Sequence, residues 1–164
     1  MANDVVAILG GTGDQGLGLA HRFAAAGRPV RIGSRKQQRA LDAAEQVRER
    51  TASADLAGLE NAEATRAAAG GIVIVSVPFE HTVGTIKSIR GALEPGTVLV
   101  SMGVPLATAV GDVAGRTVGV SQGSGAELID SLVPDEVPVI SAFQNVAALR
   151  LLALDEPVEC DVIV

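Results

Sequence analysis

Residues 5–16 read VVAILGGTGDQG, an apolar run that passes directly into a glycine-rich turn. The run Val5-Val6-Ala7-Ile8-Leu9 is uninterrupted and rich in β-branched residues, as buried strands are. Gly11, Gly13 and Gly16 follow with the spacing G-x-G-x-x-G, and a helical pattern begins immediately afterwards. Because a strand precedes the glycines and a helix follows them, this stretch predicts a dinucleotide-binding turn.

Each of these glycines has a physical task in such a turn. Gly11 lets the chain turn sharply off the strand, and Gly13 lets the backbone approach a pyrophosphate with no Cβ in the way. Gly16 lets the helix pack close to the strand. The free N–H groups and the positive dipole end of the helix then face the phosphates.

The end of the second predicted strand indicates which dinucleotide binds. An NAD site places Asp or Glu about 20 residues after the glycines, where the carboxylate accepts hydrogen bonds from the ribose 2′-OH. Here the region reads Gly33-Ser34-Arg35-Lys36, with Arg39 one helical turn later and no acid. A hydroxyl, guanidinium groups and an ammonium suit a 2′-phosphate, and cations at a helix N-terminus favour an anionic partner. We therefore predict NADP(H) rather than NAD(H).

The composition is typical of one α/β domain. Of the 164 residues 48% are hydrophobic, with three Phe and neither Tyr nor Trp. Small aliphatic side chains are expected where parallel strands are buried under helices on both faces. We therefore predict that residues 1–164 form one NADP-binding Rossmann domain, a doubly wound and mainly parallel sheet with helices on both faces. The net charge of −6 gives no general footprint for nucleic acid.

Cysteine usage and hydropathy indicate a cytoplasmic protein. The sequence holds one cysteine, Cys160, so no intramolecular disulfide can form, and it shows no ligand cluster for a metal. We expect Cys160 to be a small buried apolar residue beside a strand. No stretch approaches the roughly 18 apolar residues of a transmembrane helix, and the N-terminus has no signal-peptide core. We therefore predict a reducing compartment and no membrane partner.

Periodicity and turn residues predict alternating strands and helices along the rest of the chain. Strands are predicted from Val30 and at 56–59, 72–77, 97–101, 137–142 and 160–164, with an extended segment at 117–120. Helices are predicted at 17–24, 36–51, 61–69, 79–89 and 126–132, the last capped by Ser124, and in a short stretch ending near Leu152. Because ligands bind at the carboxyl ends of parallel strands, the loops at 77–79, 101–105 and 143–145 should line one cleft with the glycine loop.

Four stretches, in this order along the chain, resemble one family. They are the glycine loop, Gly33-Ser34-Arg35, Val75-Ser76-Val77-Pro78 and Ser141-Ala142-Phe143-Gln144-Asn145-Val146. Over almost its whole length the sequence is similar to the NADPH-dependent reductases of coenzyme F420, also called F420-dependent NADP oxidoreductases. The resemblance implies hydride transfer between C4 of the nicotinamide and C5 of the deazaflavin, a reaction that needs positioning of two cofactors rather than a catalytic acid or base.

The same resemblance implies roles for particular residues. The pyrophosphate would contact Thr12, Gly13, Asp14 and Gln15, and the 2′-phosphate would contact Ser34, Arg35 and Lys36. Val77 and Pro78 would border the nicotinamide, and Gln144, Asn145 and Val146 would orient the deazaflavin. Members of the family often carry His at the position of Gln144. They also continue with helices beyond the last strand that this sequence lacks.

Two other functions are compatible with these motifs. Gly10, Gly13 and Gly16 also fit G-x-x-G-x-x-G, similar to the redox-sensing relatives of short-chain dehydrogenases that bind NADP without turning it over. The absence of Tyr excludes the Tyr-dependent mechanism of the catalytic members of that group. The chain also fits an NADP-binding module that works with a flavin or metal reductase.

The two histidines and the oligomeric state complete the predictions. His81, in the turn that opens the helix after Pro78, either touches the cleft or lies on the surface. His21, inside the first helix, is expected to be structural. A homodimer is compatible with the small Ala-rich surfaces, although no interface can be located in the sequence.

Overall fold

A computed structural model describes residues 4–51, 55–113, 115–162 and 164 of the chain. Within these ranges six strands form one sheet in which neighbouring strands run parallel. The strands are β1 (Val6–Leu9), β2 (Val30–Ser34), β3 (Leu56–Glu60), β4 (Ile72–Val75), β5 (Val98–Ser101) and β6 (Val139–Ser141). Their order across the sheet is β3-β2-β1-β4-β5-β6. This doubly wound order confirms the predicted Rossmann-type fold.

Helices cover both faces of the sheet. They are α1 (Asp14–Ala25), α2 (Gln37–Thr51), α3 (Asn61–Ala67), α4 (Phe79–Ile89), α5 (Gly125–Asp130) and α6 (Ala148–Leu152). Side chains of α1, α2 and α6 form a first core on one face, and those of α3, α4 and α5 form a second core on the other. Because side chains alternate along a strand, Val6 and Ile8 of β1 face the first core while Ala7 and Leu9 face the second. None of the helices in the described ranges has both the length and the apolar character needed to cross a membrane.

The strand order reverses direction beside β1. This strand is hydrogen-bonded to β2 on one side and to β4 on the other, so that Val6 lies opposite both Val30 and Ile72. The loops that follow β1 and β4 therefore lead to helices on opposite faces of the sheet. A crevice opens between these loops at the carboxyl ends of the strands, where doubly wound sheets bind ligands.

The predicted strand at 160–164 is wrong over its described residues. Residues 160–162 and 164 are not part of any strand, and Ile163 lies outside the described residues. Val158, just before this segment, packs against the first core without joining the sheet. Cys160 is exposed, which corrects the prediction that it is buried beside a strand. A short apolar run does not distinguish a strand from an extended segment that packs outside the sheet.

The stretch after β5 pairs with itself outside the main sheet. Thr117, in the predicted extended segment, forms an isolated antiparallel bridge with Leu106, and the Val118 N–H donates to Pro105 O at 2.8 Å. Ser124 then caps α5 as predicted, since its Oγ accepts a hydrogen bond of 3.1 Å from the Glu127 N–H. The helix ends at Asp130, earlier than the predicted boundary at 132.

Candidate functional site

The glycine loop joins β1 to α1 at the crevice, and close backbone contacts determine its shape. Gly10 has φ +78°, and a Cβ on this residue would lie 2.5 Å from the Ser76 carbonyl oxygen. A Cβ on Gly16 would lie 2.8 Å from both Gly10 O and Gly11 Cα. A Cβ on Gly13, by contrast, would come within 4 Å of one described atom, Gly10 O, at 3.6 Å. The loop is therefore closely packed at both ends and open at Gly13.

The sharp turn falls on a different glycine from the predicted one. The left-handed conformation belongs to Gly10, which precedes the G-x-G-x-x-G motif. Gly11 is instead needed for clearance, because its Cβ would lie 2.9 Å from Ile8 O. Gly16 also acts differently from the prediction, since the backbone it approaches belongs to the loop rather than to the strand.

The first turn of α1 faces the crevice with its N–H groups. Gly13 is the N-cap residue, and no side chain in the described ranges caps this helix end. A cavity beside this helix end is lined by Asp14, Gln15 and Gly16. The N–H groups in the first turn of a helix have no acceptor within the helix. Such a helix end suits an anion. The Asp14 carboxylate only accepts hydrogen bonds, so the group of this residue that suits a phosphate is its N–H.

Two cavities lie along the crevice and share a wall formed by Gly13, Ser76, Val77 and Pro78. One cavity, of about 270 Å³, extends to the end of β2, and we call it the β2 cavity. The other, of about 390 Å³, extends to the loop after β5, and we call it the β5 cavity. Together they form the switch-point cleft. Residues 77–79 and 102–104 line it beside the glycine loop, as the topology predicts for two of the three loops.

The β2 cavity contains most of the residues predicted for the 2′-phosphate. Ser34, Arg35 and Arg39 line it together with Thr12, whereas Lys36 does not. Ser34 is 7% exposed, and its Oγ accepts a hydrogen bond of 3.3 Å from the Lys36 N–H as the chain leaves β2. Neither arginine forms a salt bridge with a carboxylate of the described residues. Two cations beside one cavity, without carboxylate partners, suit an anionic ligand.

The sequence motifs identify neither Asn61 nor Thr85 as site residues. For His81 the sequence analysis allows two places, the cleft and the surface. All three residues line the β2 cavity. Asn61 is 7% exposed, and its Oδ1 is buried without a hydrogen-bond partner among the described residues. A buried acceptor of this kind indicates a missing donor. Asn61 follows β3 directly, and this place at the carboxyl end of a strand beside β2 is the signal that identifies it.

His21 lies apart from the cleft, in agreement with the expected structural role. It is fully buried, and neither ring nitrogen has a partner in the described part of the chain. Burial, with a smaller contribution from the nearby Arg50 charge, lowers the pKa of His21 below the usual value of 6.5. The described residues also contain no group of three or more His, Cys, Asp or Glu that could hold a metal ion.

Comparison with known proteins decides the family. Residues 5–105 match the family model described as NADP oxidoreductase, coenzyme F420-dependent. The chain is also 47% identical over 163 residues to the F420-dependent NADP reductase of Methanocaldococcus jannaschii, a match that covers 97% of this chain and 71% of that protein. The chain belongs to the F420-dependent NADP oxidoreductase family.

A second relative agrees with this family, and a solved structure agrees with the fold. The F420-dependent NADP reductase of Methanothermobacter marburgensis is 40% identical over 162 residues, which are 97% of this chain and 71% of that protein. A candidate F420-dependent NADP reductase from Arthrobacter sp. FB24 has a TM-score of 0.69 at 22% identity, and the match covers 89% of this chain and 64% of that one. At 22% identity, the Arthrobacter structure supports the fold alone.

The resemblance to this family predicts that Gln144, Asn145 and Val146 contact the deazaflavin. Gln144 lines a cavity of about 500 Å³ that adjoins the β5 cavity at residues 103–104. The other two side chains point elsewhere. Asn145 Nδ2 donates to Asp161 O at 2.7 Å, and Val146 is 6% exposed within the first core.

The Gln15 side chain also turns away from its predicted ligand. Its Nε2 donates to Phe143 O at 3.2 Å and to Val146 O at 3.0 Å, rather than remaining beside the first-turn N–H groups. Any contact of this residue with the predicted pyrophosphate therefore falls to its backbone N–H. No sequence motif predicts these hydrogen bonds, which join residues 128 and 131 positions apart.

Proposed function

We propose that the protein transfers a hydride between NADP(H) and the deazaflavin coenzyme F420. The observation that carries this proposal is the combination of family membership with a switch-point cleft whose two cavities meet at the open Gly13 position. The chain spans 71% of the length of the two reductases named above.

The dinucleotide would bind across the whole switch-point cleft. In the β2 cavity, the 2′-phosphate would meet Ser34, Arg35 and Arg39, with Lys36 contributing charge from outside the cavity wall. The pyrophosphate would lie against the N–H groups of the glycine loop and first turn of α1. The residues proposed for that contact are Gly11, Thr12, Gly13, Asp14 and Gln15. Gly11 acts there through loop shape, since its Cβ position points at Ile8 O rather than into the cleft.

The nicotinamide would then reach the β5 cavity. Val77 and Pro78 belong to both cavities, so they form a wall that a dinucleotide must pass. When bound, the two cofactors would supply the chemistry, which is hydride transfer between nicotinamide C4 and deazaflavin C5. The task of this chain is to hold the two rings at reacting distance and to exclude water. No side chain is assigned as a proton donor, and the proton that the deazaflavin ring takes up after accepting the hydride would come from solvent.

Gln144 is the proposed contact with the deazaflavin at this end of the cleft. Its Nε2 donates to Ser101 O at 2.8 Å and to Ser141 Oγ at 2.7 Å, so β5 and β6 hold the side chain in place. The side-chain oxygen is then free to accept a hydrogen bond from a ligand in the adjoining cavity. Asn145 and Val146 would contribute through the shape of the turn, because their side chains point elsewhere.

Asn61 is proposed as a further ligand of the adenosine half. Asn61 lines the same cavity as Arg35 and Arg39, and its Oδ1 is buried without a hydrogen-bond partner among the described residues. The adenine amine and the ribose hydroxyls are donors that would satisfy this oxygen. Binding of the dinucleotide would thereby remove the free-energy cost of a buried, unpaired acceptor.

The proposed partners are the two small-molecule cofactors. The net charge of −6 argues against nucleic acid as a partner. The cations that line the β2 cavity are a local exception to this acidic balance. We propose the cytoplasm as the compartment because NADPH is held there as a reductant. A homodimer is proposed without an assigned interface.

The reaction is tested by mixing the purified protein with NADPH and oxidised F420 under anaerobic conditions while deazaflavin absorbance is followed. Bleaching with NADPH, and little or none with NADH, is the expected result. Tight binding of NADPH without bleaching would overturn the proposal and favour an NADP(H)-binding sensor.

The 2′-phosphate assignment is tested with Arg35→Ala. Loss of a charge-assisted pair should raise the Kd for NADPH by about tenfold or more while the Kd for NADH changes little. Arg90→Ala is the matched control, because Arg90 is exposed after α4 at the opposite end of the strands. Equal losses of NADPH and NADH affinity in Arg35→Ala would show that the guanidinium does not read the 2′-phosphate.

A further inference from the structure

We propose that the Gln15 side chain is a positioning residue that fixes the turn at 143–146 relative to the dinucleotide loop, and so sets how F420 meets the nicotinamide. The inference rests on the proposed function for its consequence in catalysis. Its structural basis is independent of that function, because it lies in the contacts of the protein alone.

The contact joins two parts of the cleft that are distant in sequence. Gln15 is in the first turn of α1, and its Nε2 donates to both Phe143 O and Val146 O. These carbonyl groups flank Gln144, whose side chain lines the cavity proposed for the deazaflavin. One amide group therefore connects the turn that carries Gln144 to the helix end proposed for the pyrophosphate.

The turn is strained in a way that requires such support. Phe143 has φ +70°, and it is the one non-glycine residue of the described ranges with a left-handed backbone. This conformation is costly for a bulky side chain and persists only where surrounding contacts hold it. Within the turn, the Val146 N–H donates to Phe143 O at 3.2 Å. The Gln15 amide adds a second donor to the same carbonyl oxygen and anchors the turn to α1.

The rest of the same helix face attaches the segment that follows. Gly18 lies one turn after Gln15, and a Cβ there would be 2.5 Å from Leu151 Cβ. Arg22 lies one turn further and donates to the carbonyl oxygens of Leu151, Arg150, Ala153 and Glu156. Spacings of three and four place these residues on one stripe. Arg22 thus attaches the segment after the turn to α1, and Gln15 attaches the turn itself to the same helix.

Backbone and side chain of Gln15 have separable roles. A substitution leaves the N–H that faces the phosphate region and removes only the link to residues 143–146. Gln15→Leu removes both donors, and Gln15→Glu keeps the length of the side chain while placing a carboxylate against two carbonyl oxygens. Gln46→Leu serves as the matched control, because Gln46 is exposed on α2.

The experiment measures the Kd for NADPH, the KM for F420 and kcat in the full chain of each variant. In Gln15→Leu and Gln15→Glu we expect a Kd for NADPH within about twofold of the parent value and kcat/KM for F420 lower by about tenfold or more. Retained NADPH binding shows that the variants are folded. Equal losses of NADPH and F420 binding would overturn the inference, as would unchanged kcat/KM for F420.

A second measurement does not depend on turnover. Hydrogen exchange of the amides of residues 144–147 is followed with NADPH present, and faster exchange in both Gln15 variants, but not in Gln46→Leu, is expected. If the parent protein fails to reduce F420 and this exchange still accelerates, the proposed function fails while the positioning role stands. Unchanged exchange overturns the positioning role whatever the activity.

Discussion

The dinucleotide half of the cleft and the segment at 141–156 are stabilised in different ways. Around β1 and β2, backbone ladders and glycine clearances determine the structure, and contacts such as Gly10 to Ser76 involve main chain alone. In the 141–156 segment, carbonyl groups are satisfied by side chains of distant helices, above all Gln15 and Arg22. The comparison teaches that main-chain contacts specify one half, whereas hydrogen bonds from distant side chains specify the other.

The largest effects are expected from two substitutions in the glycine loop, one of which lowers stability while the other abolishes NADPH binding. Gly10→Ala places a Cβ 2.5 Å from Ser76 O at a left-handed φ, so we expect a loss of about 3 kcal/mol or more in the free energy of unfolding. In Gly13→Val the Cβ makes an ordinary van der Waals contact of 3.6 Å with Gly10 O, so the domain should fold and lose NADPH binding.

Denaturant unfolding and NADPH titration of both variants check this pair. A stable Gly10→Ala protein would show that the loop tolerates a Cβ against β4, contrary to its geometry. Normal NADPH affinity in Gly13→Val would place the pyrophosphate somewhere other than the open position of the loop.

A smaller effect is expected from Arg22→Leu, which acts on the 141–156 segment. Removing a guanidinium that donates to several carbonyl groups should lower the free energy of unfolding by about 2 kcal/mol. The affinity for NADPH should change little, because Arg22 lies outside the switch-point cleft. Arg66→Leu, on the exposed face of α3, is the control for denaturant unfolding. A loss of NADPH affinity as large as the loss of stability would mean that the two regions are not separable.

The smallest effect is a pH dependence that originates at His21, a buried residue of α1 that lies apart from the cleft. The pKa of His21 is lowered in the folded protein, so below pH 6.5 the unfolded chain takes up a proton that the native state does not. The free energy of unfolding should therefore fall as the pH decreases below 6.5, with a slope of at most about 1.4 kcal/mol per pH unit from this group.

His21→Leu tests the origin of that slope. The substitution removes both unpaired ring nitrogens, so we expect the acid-dependent loss to become shallower while stability at pH 7.5 is kept or increased. Urea unfolding of both proteins between pH 5 and 7.5 is the measurement. Identical slopes would mean that other groups cause the acid sensitivity.

Most of the fold could be predicted from the sequence because local patterns specify it. The apolar runs at β1 and β4 are buried strands, and the glycine spacing after β1 correctly places the turn into α1. The loops at 77–79 and 102–104 could be placed in one cleft from topology alone. These features depend on residues that are close in sequence or on the order of strands.

The rest depends on contacts that no local pattern contains. The two acceptors of Gln15 lie more than 120 positions away, and the stripe of Gln15, Gly18 and Arg22 becomes meaningful only once α6 packs against α1. The final segment contains Val162 and Val164, which suggest a strand, but its described residues lie outside the sheet. The buried Oδ1 of Asn61 could not be predicted either, because burial of a single polar atom depends on how distant parts of the chain pack around it.

The attachment of the 141–156 segment to one stripe of α1 determines which parts of the chain can be swapped between proteins of this fold. A chimera that takes its glycine loop and first helix from another Rossmann protein would lose the donors at positions 15 and 22 and the clearance at position 18. The unit that can be transplanted is therefore discontinuous, and it comprises the first helix together with a stretch of chain more than a hundred residues downstream.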